Sequence, residues 1–395
     1  MKEILTMENF LGLNCEVQLN KINLIIGPQS SGKSVIAKLF YFFKNIDKLL
    51  VDSISSTRKK FDSELENKFL QYFSVDSFAN DKFRITFKNA RFEFIITNDF
   101  LDIIQIKYSN SFKEHIKKIT ELLNKHKKES IRSLPISGII KSRQTYIPAG
   151  RSLFTFMQDN IFTWISEERS IDSFLMEFGS YYEIVKRLGE KRFSLAGHLH
   201  KNTAVDELAD KLVALLLKGK FIRKDGKDFI VSDKILTPLE FTSSGQQEIL
   251  PLILVLKRLM YTTRASIYIE EPEAHLFPVS QKYITELIAL VFNETKNQIF
   301  ITTHSPYILT AFNNLIYAGQ LEETLKTNKT KSTKLNKIIP EKLRLKISDI
   351  SAYTLDDKGN IISIINSETG LIDGNVIDSV SDELGSSFDQ LLDLN

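Results

Sequence analysis

Residues 22–34 read INLIIGPQSSGKS, and this stretch decides the fold class of the chain. Ile22–Ile26 is an apolar run, as expected for a strand that is buried on both faces of a parallel sheet. A glycine-rich turn follows, and the apolar residues at 35–43 predict a helix directly after it. This order of strand, turn and helix predicts an α/β fold.

The turn, residues 27–34, matches the pattern GxxxxGK[ST] at every position and is called the P-loop below. Its glycines allow the backbone to curl until successive N–H groups face a phosphate, and the N-terminus of the following helix adds partial positive charge. Lys33 is expected to reach the β- and γ-phosphates of ATP, and the Ser34 hydroxyl to bind Mg²⁺. The predicted nucleotide contacts here are Gly27, Gln29, Ser30, Ser31, Gly32, Lys33, Ser34 and Val35.

Two further strands are expected to bring catalytic side chains to the same site. Hydrolysis of a nucleotide needs an acid that orients Mg²⁺ and a group that activates water. The apolar strand predicted over 266–270 ends in two carboxylates, so we assign Glu270 to Mg²⁺, through water, and Glu271 to the attacking water. This strand is expected beside the P-loop strand. His304 follows another strand, at the end where open α/β sheets place ligand contacts, so it is expected to hydrogen-bond the γ-phosphate.

These motifs and their order resemble those of ABC-type ATPases of the RecF/SMC/OLD branch. Residues 242–248, TSSGQQE, look like the ABC signature loop, and Ser243 and Gly245 match its serine and its second glycine. Residues 270–278 resemble the Walker B motif and D-loop of this branch, and residues 302–306 resemble its H-loop.

The resemblance implies a site that one chain cannot complete alone. In ABC-type ATPases the signature loop of one subunit contacts the γ-phosphate on the other, which implies a head-to-tail homodimer or a higher oligomer with ATP at the interface. Ser243, Gly245 and Gln246 would then contact nucleotide, and Gln144 would be the Q-loop glutamine. The implied fold is a P-loop NTPase with an ABC-ATPase-like mixed sheet flanked by helices, and with a helical and β-hairpin insertion.

The expected organisation is one ATPase domain followed by an acidic C-terminal segment. This segment, residues 347–395, carries ten acids and one base, a net charge of −9, so the rest of the chain carries +12. The segment could dock a partner, or it could be a helix that closes the core. The expected boundaries are 1–346 for the ATPase domain, about 1–47 and 221–320 for its core lobes, about 48–220 for the insertion, and 347–395 for the acidic segment.

Composition predicts a globular protein and leaves nucleic acid open as a partner. Of the 395 residues, 43% are hydrophobic and 26% charged, and the single cysteine, Cys15, excludes an intramolecular disulfide and a cysteine-cluster metal site. Nine Lys/Arg lie within 111–143 and eight within 321–346; these basic stretches could bind phosphate backbones or be solvated surfaces. No apolar stretch is long enough to span a bilayer, so the expected location is the cytoplasm, without membrane contact.

Three functions remain open from the sequence. The 208 residues between Ser34 and Ser243 lack sustained heptads, which argues against a long-armed SMC protein. OLD nucleases, which the chain resembles in its ATPase motifs, carry a Toprim nuclease domain after the ATPase, with a Glu and an Asp-x-Asp pair that bind Mg²⁺. Only 91 residues follow His304 here, without an Asp-x-Asp pair, so the resemblance is to a stand-alone OLD-like ATPase and no nuclease is expected in this chain. We favour an ATPase sensor of a bacterial anti-phage defence or toxin–antitoxin-like system, acting with a separate effector protein such as a nuclease. The alternatives are a RecF-like DNA-repair ATPase that binds DNA, and a nucleotide-gated binding module with little turnover.

Overall fold

The computed structural model describes residues 3–53, 58–74, 78, 82–98, 104–125, 142–157, 172–192, 203–356, 358–374, 386 and 390. The strands in these residues are β1 Glu3–Phe10, β2 Leu13–Leu19, β3 Ile22–Ile26, β4 Phe83–Lys88, β5 Glu93–Asn98, β6 Ile104–Tyr108, β7 Arg143–Ile147, β8 Lys220–Lys224, β9 Lys227–Ser232, β10 Ile235–Pro238, β11 Ala265–Glu270, β12 Gln298–Thr303, β13 Ile350–Leu355, β14 Ile361–Ser363, β15 Ile365–Asn366 and β16 Leu371–Ile372. The helices are α1 Lys33–Lys44, α2 Ile46–Ser53, α3 Arg58–Tyr72, α4 Asn110–Lys125, α5 Leu153–Met157, α6 Ser173–Arg192, α7 Thr203–Leu217, α8 Ser244–Leu259, α9 Pro278–Thr295, α10 Pro306–Thr324 and α11 Lys329–Ile338.

The central element is a six-stranded mixed sheet in the order β14-β13-β3-β12-β11-β7. The five strands from β13 to β7 run parallel, and β14 pairs antiparallel with β13. Ile26, the last residue of the P-loop strand β3, lies level with Thr303 of β12, and Glu270 of β11 lies level with Thr302. The P-loop, the two carboxylates and His304 therefore follow strands that end at one edge of the sheet. The predicted α/β P-loop fold with a mixed sheet flanked by helices is confirmed.

The expectation that the strand of Glu270 lies beside the P-loop strand is wrong. β12 lies between the two and pairs in parallel with both. Parallel neighbours are joined by crossover connections, so strands that carry related motifs need not be adjacent in the sheet. As a result, the strand that leads into His304 separates the P-loop strand from the strand that leads into Glu271.

A second, antiparallel sheet has the order β2-β1-β4-β5-β6. Its strands β4 and β5 show the alternating burial that the sequence pattern predicts for half-buried strands. Because β1 pairs with β4, this sheet joins the N-terminal hairpin to strands of the expected insertion. β7, which also comes from within 48–220, pairs with β11 in the central sheet. Residues 48–220 thus contribute strands to both sheets.

The acidic C-terminal segment begins inside the central sheet. β13 pairs in parallel with the P-loop strand β3. Further on, Ile372 is buried, and its backbone is hydrogen-bonded to Asn313 of α10. The expectation of a segment separate from the ATPase domain is therefore wrong for β13 and β14, which extend the central sheet, and for Ile372, which is hydrogen-bonded to α10. The C-terminal helix expected from the apolar spacing falls mainly outside the described residues.

Two apolar cores hold the central sheet in place. Alternate residues of a strand face opposite sides, and Leu24 and Ile25 of β3 accordingly belong to different cores. The core that contains Leu24 is largely aliphatic and packs the sheet against α7, α8, α9 and α10. The core that contains Ile25 is rich in phenylalanine and joins α1 to the antiparallel sheet, as in the stacked pair Phe43–Phe87. None of the described helices is long and apolar enough to cross a membrane.

The dipeptide Asp225-Gly226, which is typical of a two-residue hairpin turn, connects β8 and β9. β8 and β9 pair antiparallel up to Lys224 and Lys227, which leaves a two-residue turn. Both turn residues have positive φ, +52° and +77°, as a turn that matches the twist of the flanking strands requires.

Candidate active site

The P-loop surrounds the N-terminus of α1 in a conformation that suits an anion. Gly32 precedes the helix with a φ of +95°, and a Cβ there would lie 2.7 Å from Cδ2 of Leu13. The left-handed backbone thus favours glycine, and any other residue here would displace the Leu13 side chain. No side chain caps α1 and its first turn contains no acid, so its N-terminal N–H groups remain for a ligand. These features fit a nucleotide phosphate. The other predicted contacts in this loop and the first turn of α1 are Gln29, Ser30, Ser31, Ser34 and Val35.

Lys33 lies buried against its own loop. Its ammonium donates hydrogen bonds to the carbonyl of Gly27, at 2.8 Å, and to the carbonyl of Pro28. Burial lowers the pKa of Lys33, while the carboxylates of Glu271 and Glu273 oppose that shift. Lys33 therefore lies within electrostatic range of the acids that follow β11.

Glu270 is nearly buried and is held by the end of β7. Its Oε1 accepts a hydrogen bond from the Tyr146 hydroxyl at 2.7 Å, and its Oε2 accepts one from the Ala149 N–H at 3.2 Å. Burial, followed by the charge of Glu270, raises the pKa of Tyr146 well above its ordinary value, which keeps the hydroxyl protonated as a donor. Each carboxylate oxygen retains a further lone pair for a water molecule. Glu270 and the exposed Ser34 therefore fit a Mg²⁺ ion that Glu270 contacts through water.

Glu271 and His304 lie together at the carboxyl edge, as predicted. Oε1 of Glu271 is 3.6 Å from Nδ1 of His304, and both side chains are partly open to solvent. Glu271 has a φ of +42°, and its N–H donates to the carbonyl of Thr302 at 2.9 Å. The pair thus combines a fixed backbone with side chains that can reach a bound molecule.

Glu273 contacts His304 of this pair, and the sequence pattern had indicated no role for it. Its Oε1 accepts hydrogen bonds from the Thr303 hydroxyl at 2.6 Å and from the His304 N–H at 2.9 Å. The same oxygen is 3.4 Å from Nδ1 of His304. The third acid in the run EEPE was the only signal that pointed to it.

The signature-like loop begins α8. Ser243 and Gln246 form a reciprocal capping box, in which Oγ of Ser243 accepts from the Gln246 N–H and Oε1 of Gln246 accepts from the Ser243 N–H. Gln246 also donates to the carbonyl of Leu217 at 2.6 Å. A Cβ on Gly245 would lie 2.8 Å from the carbonyl oxygen of His275, so the D-loop and this loop are in contact. Ser243 is exposed.

The expectation that Gln144 contacts the nucleotide is wrong, because Gln144 does not lie at the carboxyl edge of the sheet. Gln144 lies within β7, level with Ser266, and its Oε1 accepts a hydrogen bond from the Tyr268 hydroxyl at 3.1 Å. Glu270 is four residues further along β11 than Ser266, which at the rise of a strand is about 13 Å. Gln144 is therefore packed among the strands. The residues that reach the carboxyl edge are Ala149 and Arg151, which follow β7 in the chain and are hydrogen-bonded to Glu270 and Glu271.

Comparison with known proteins agrees with this arrangement. A protein-family model described as AAA ATPase domain matches residues 1–309, more than three quarters of the chain. The chain belongs to this family. A comparison with curated proteins gave no match.

Solved structures of SMC heads are similar at low sequence identity. A Smc head bound to the C-winged helix domain of ScpA has 11% identity and a TM-score of 0.46, with 94% of this chain and 99% of that chain covered. The SMC head domain from Thermotoga maritima has 11% identity and a TM-score of 0.38, with 92% and 98% covered. A Smc head with an extended coiled coil, bound to the C-terminal domain of ScpA, from Pyrococcus furiosus, has 14% identity and a TM-score of 0.39, with 92% and 96% covered.

Proposed function

We propose that this protein binds ATP at the P-loop and hydrolyses it with Lys33, Glu271 and His304. One observation carries the proposal: the strands β3, β11 and β12 end at a single edge of the sheet, next to these three side chains. Membership of the AAA ATPase domain family supports it. The uncapped N-terminus of α1 supports it as well, because the free N–H groups favour a phosphate.

Each side chain has a role that follows from its place. Lys33 binds the phosphates of ATP by exchanging its carbonyl partners for phosphate oxygens, which are charged acceptors and form stronger hydrogen bonds. Mg²⁺, when bound, neutralises phosphate charge and aligns the γ-phosphate, and Ser34 and Glu270 would hold it. Glu271 orients the attacking water, and His304 hydrogen-bonds the γ-phosphate.

Replacing Lys33 tests the nucleotide site. Lys33→Ala is expected to weaken ATP binding by at least about tenfold, because charge-assisted contacts to phosphate are lost. Calorimetry with ATP and Mg²⁺ measures this, and phosphate release measures hydrolysis, which should stop. Lys38→Ala is the matched control, since Lys38 lies on the same helix but pairs with Asp172. Equal ATP affinity in Lys33→Ala and the wild type would contradict the proposal.

We further propose an ABC-type arrangement, a head-to-tail homodimer or higher oligomer in which Ser243 of one chain contacts ATP bound to another. Two features support it. Ser243 is exposed at the N-terminus of a helix, a place that favours anions. The large apolar side chains of Phe241 and Phe277, beside the signature-like loop and in the D-loop, are 75% and 73% exposed, which is typical of a contact surface.

The cellular process is proposed from the resemblance to OLD-like proteins alone. In this proposal the protein is the ATPase sensor of an anti-phage defence or toxin–antitoxin-like system, and a separate effector protein acts with it. The genes beside the coding sequence test this: an adjacent small effector gene supports it, and a recombination operon would favour the RecF-like alternative.

A further inference from the structure

Arg151 is a fully buried arginine beneath the catalytic edge of the sheet. Its Nη1 donates to the carbonyl of Glu270 at 2.7 Å, and its Nη2 donates to the carbonyl of Glu271 at 2.9 Å. Nη1 also donates to the carbonyl of Pro148 at 2.8 Å, at the end of β7. One guanidinium thus fixes the carbonyl of the residue before Glu271 and the carbonyl of Glu271 itself.

The charge of Arg151 is matched by Glu248 of α8, which is also fully buried. Nη2 of Arg151 is 3.2 Å from Oε1 of Glu248, and neither side chain is exposed. The Glu248 carboxylate also accepts from the N–H groups of Arg151, at 2.9 Å, and Ser152, at 2.7 Å. Glu248 follows Ser243 by five residues, so this pair connects the beginning of α8 to the backbone of Glu271.

The backbone of Glu271 needs such support. Its φ of +42° lies in the left-handed region, which residues other than glycine rarely adopt. A residue stays in that region only when its surroundings hold it there. The hydrogen bonds from the Glu271 N–H to Thr302 and from Arg151 to the Glu271 carbonyl fix the two peptide groups that flank this residue. Those peptide groups set the direction of the Glu271 Cα–Cβ bond, from which the carboxylate extends.

We propose that Arg151 is a positioning residue for hydrolysis: it holds the Glu271 carboxylate beside His304 and, through Glu248, makes that position depend on α8 and its Ser243. The proposal rests on the ATPase function proposed above. A stability role alone explains the pair poorly, because buried ion pairs are often no more stabilising than apolar residues of similar size. Arginine suits the task since its planar guanidinium holds several carbonyls in one fixed geometry, whereas a lysine ammonium is a point charge on a flexible stem.

Arg151→Lys tests the proposal because it keeps the charge and removes the fork. We expect kcat for ATP to fall by at least about tenfold, as for a misplaced catalytic group, while KM and calorimetric ATP affinity stay within about threefold. If Arg151→Lys fails to fold, Glu248→Gln, which keeps the shape of its side chain, is the second test. It should show the same loss of kcat, with KM and ATP affinity nearly unchanged. In the double variant Arg151→Lys/Glu271→Gln, kcat should equal that of Glu271→Gln alone, because Arg151 acts through Glu271.

A second buried ion pair provides the matched control. Lys186 and Asp228 are each 1% exposed, and Asp228 also contacts Arg223, so Lys186→Met leaves that carboxylate a partner. Lys186→Met should lower thermal stability and keep kcat. The inference is overturned if folded Arg151→Lys keeps the wild-type kcat, if kcat and ATP affinity fall together, or if Lys186→Met loses as much kcat. Wild-type protein that binds ATP without hydrolysing it would overturn the proposed function and the inference with it. The wild-type assay alone reveals that failure, so it is distinguished from a failure of the inference, which only the variants reveal.

Discussion

At the scale of single residues, Glu273 is an acid that contacts both the backbone and the ring of His304. It is almost completely buried, and its Oε2 has no hydrogen-bond partner among the described residues. Its Oε1 is shared by Thr303 and His304, which fixes the start of the loop after β12. We therefore interpret Glu273 as the residue that orients the His304 imidazole.

Glu273→Ala should reduce kcat for ATP to the level of His304→Ala, and the double variant should be no slower than either, because both changes remove one oriented imidazole. Unfolding free energy should fall by about 1–3 kcal/mol, since the Thr303 hydroxyl and the His304 N–H lose their acceptor. Steady-state kinetics and denaturant titration measure the two effects. Glu294→Ala, which breaks an exposed pair with Lys342, is the control and should alter neither. If the increases in activation free energy of the two single variants add up in the double variant, this role is ruled out.

At the scale of elements, the sequence predicted what depends on neighbouring residues. β3, the P-loop and α1 are local: an apolar run, glycines at special φ and a helix with an apolar face specify them within about twenty residues. The hairpin at Asp225-Gly226 is local for the same reason. The motifs at the ends of β11 and β12 could be found because their acids and histidine directly follow apolar strands.

What the sequence did not predict depends on contacts distant along the chain. The order of β3, β12 and β11 depends on crossover connections, which leave no mark in the strands themselves. The residues around Gln144 do not indicate its register against Ser266, and that register places it away from the carboxyl edge. Arg151 and Glu248 are 97 residues apart, so no local pattern indicated that they form a buried pair.

At the scale of the whole molecule, the proposed head-to-tail dimer divides the site between two chains. Lys33→Ala and Ser243→Arg should each be inactive alone. Mixed in equal amounts with subunit exchange, they should recover about one quarter of the wild-type rate, because half of the dimers are mixed and each has one intact site. Phosphate release measures the recovery. Lys33→Ala mixed with Glu271→Gln is the control: both residues belong to the same half-site, so activity should not return. A Lys33→Ala and Ser243→Arg mixture as inactive as its parents would contradict the shared site.

The central claim is that the carboxyl edge of the sheet both binds ATP through the P-loop and activates water through Glu271. The most direct measurement compares Glu271→Gln with the wild type for ATP affinity and for the single-turnover rate of phosphate release. ATP affinity should stay within about threefold, because Glu271 is not a phosphate contact, while the rate should fall by at least about a hundredfold, as expected for loss of a group that acts on the proton of water. Hydrolysis by Glu271→Gln at the wild-type rate would contradict the account.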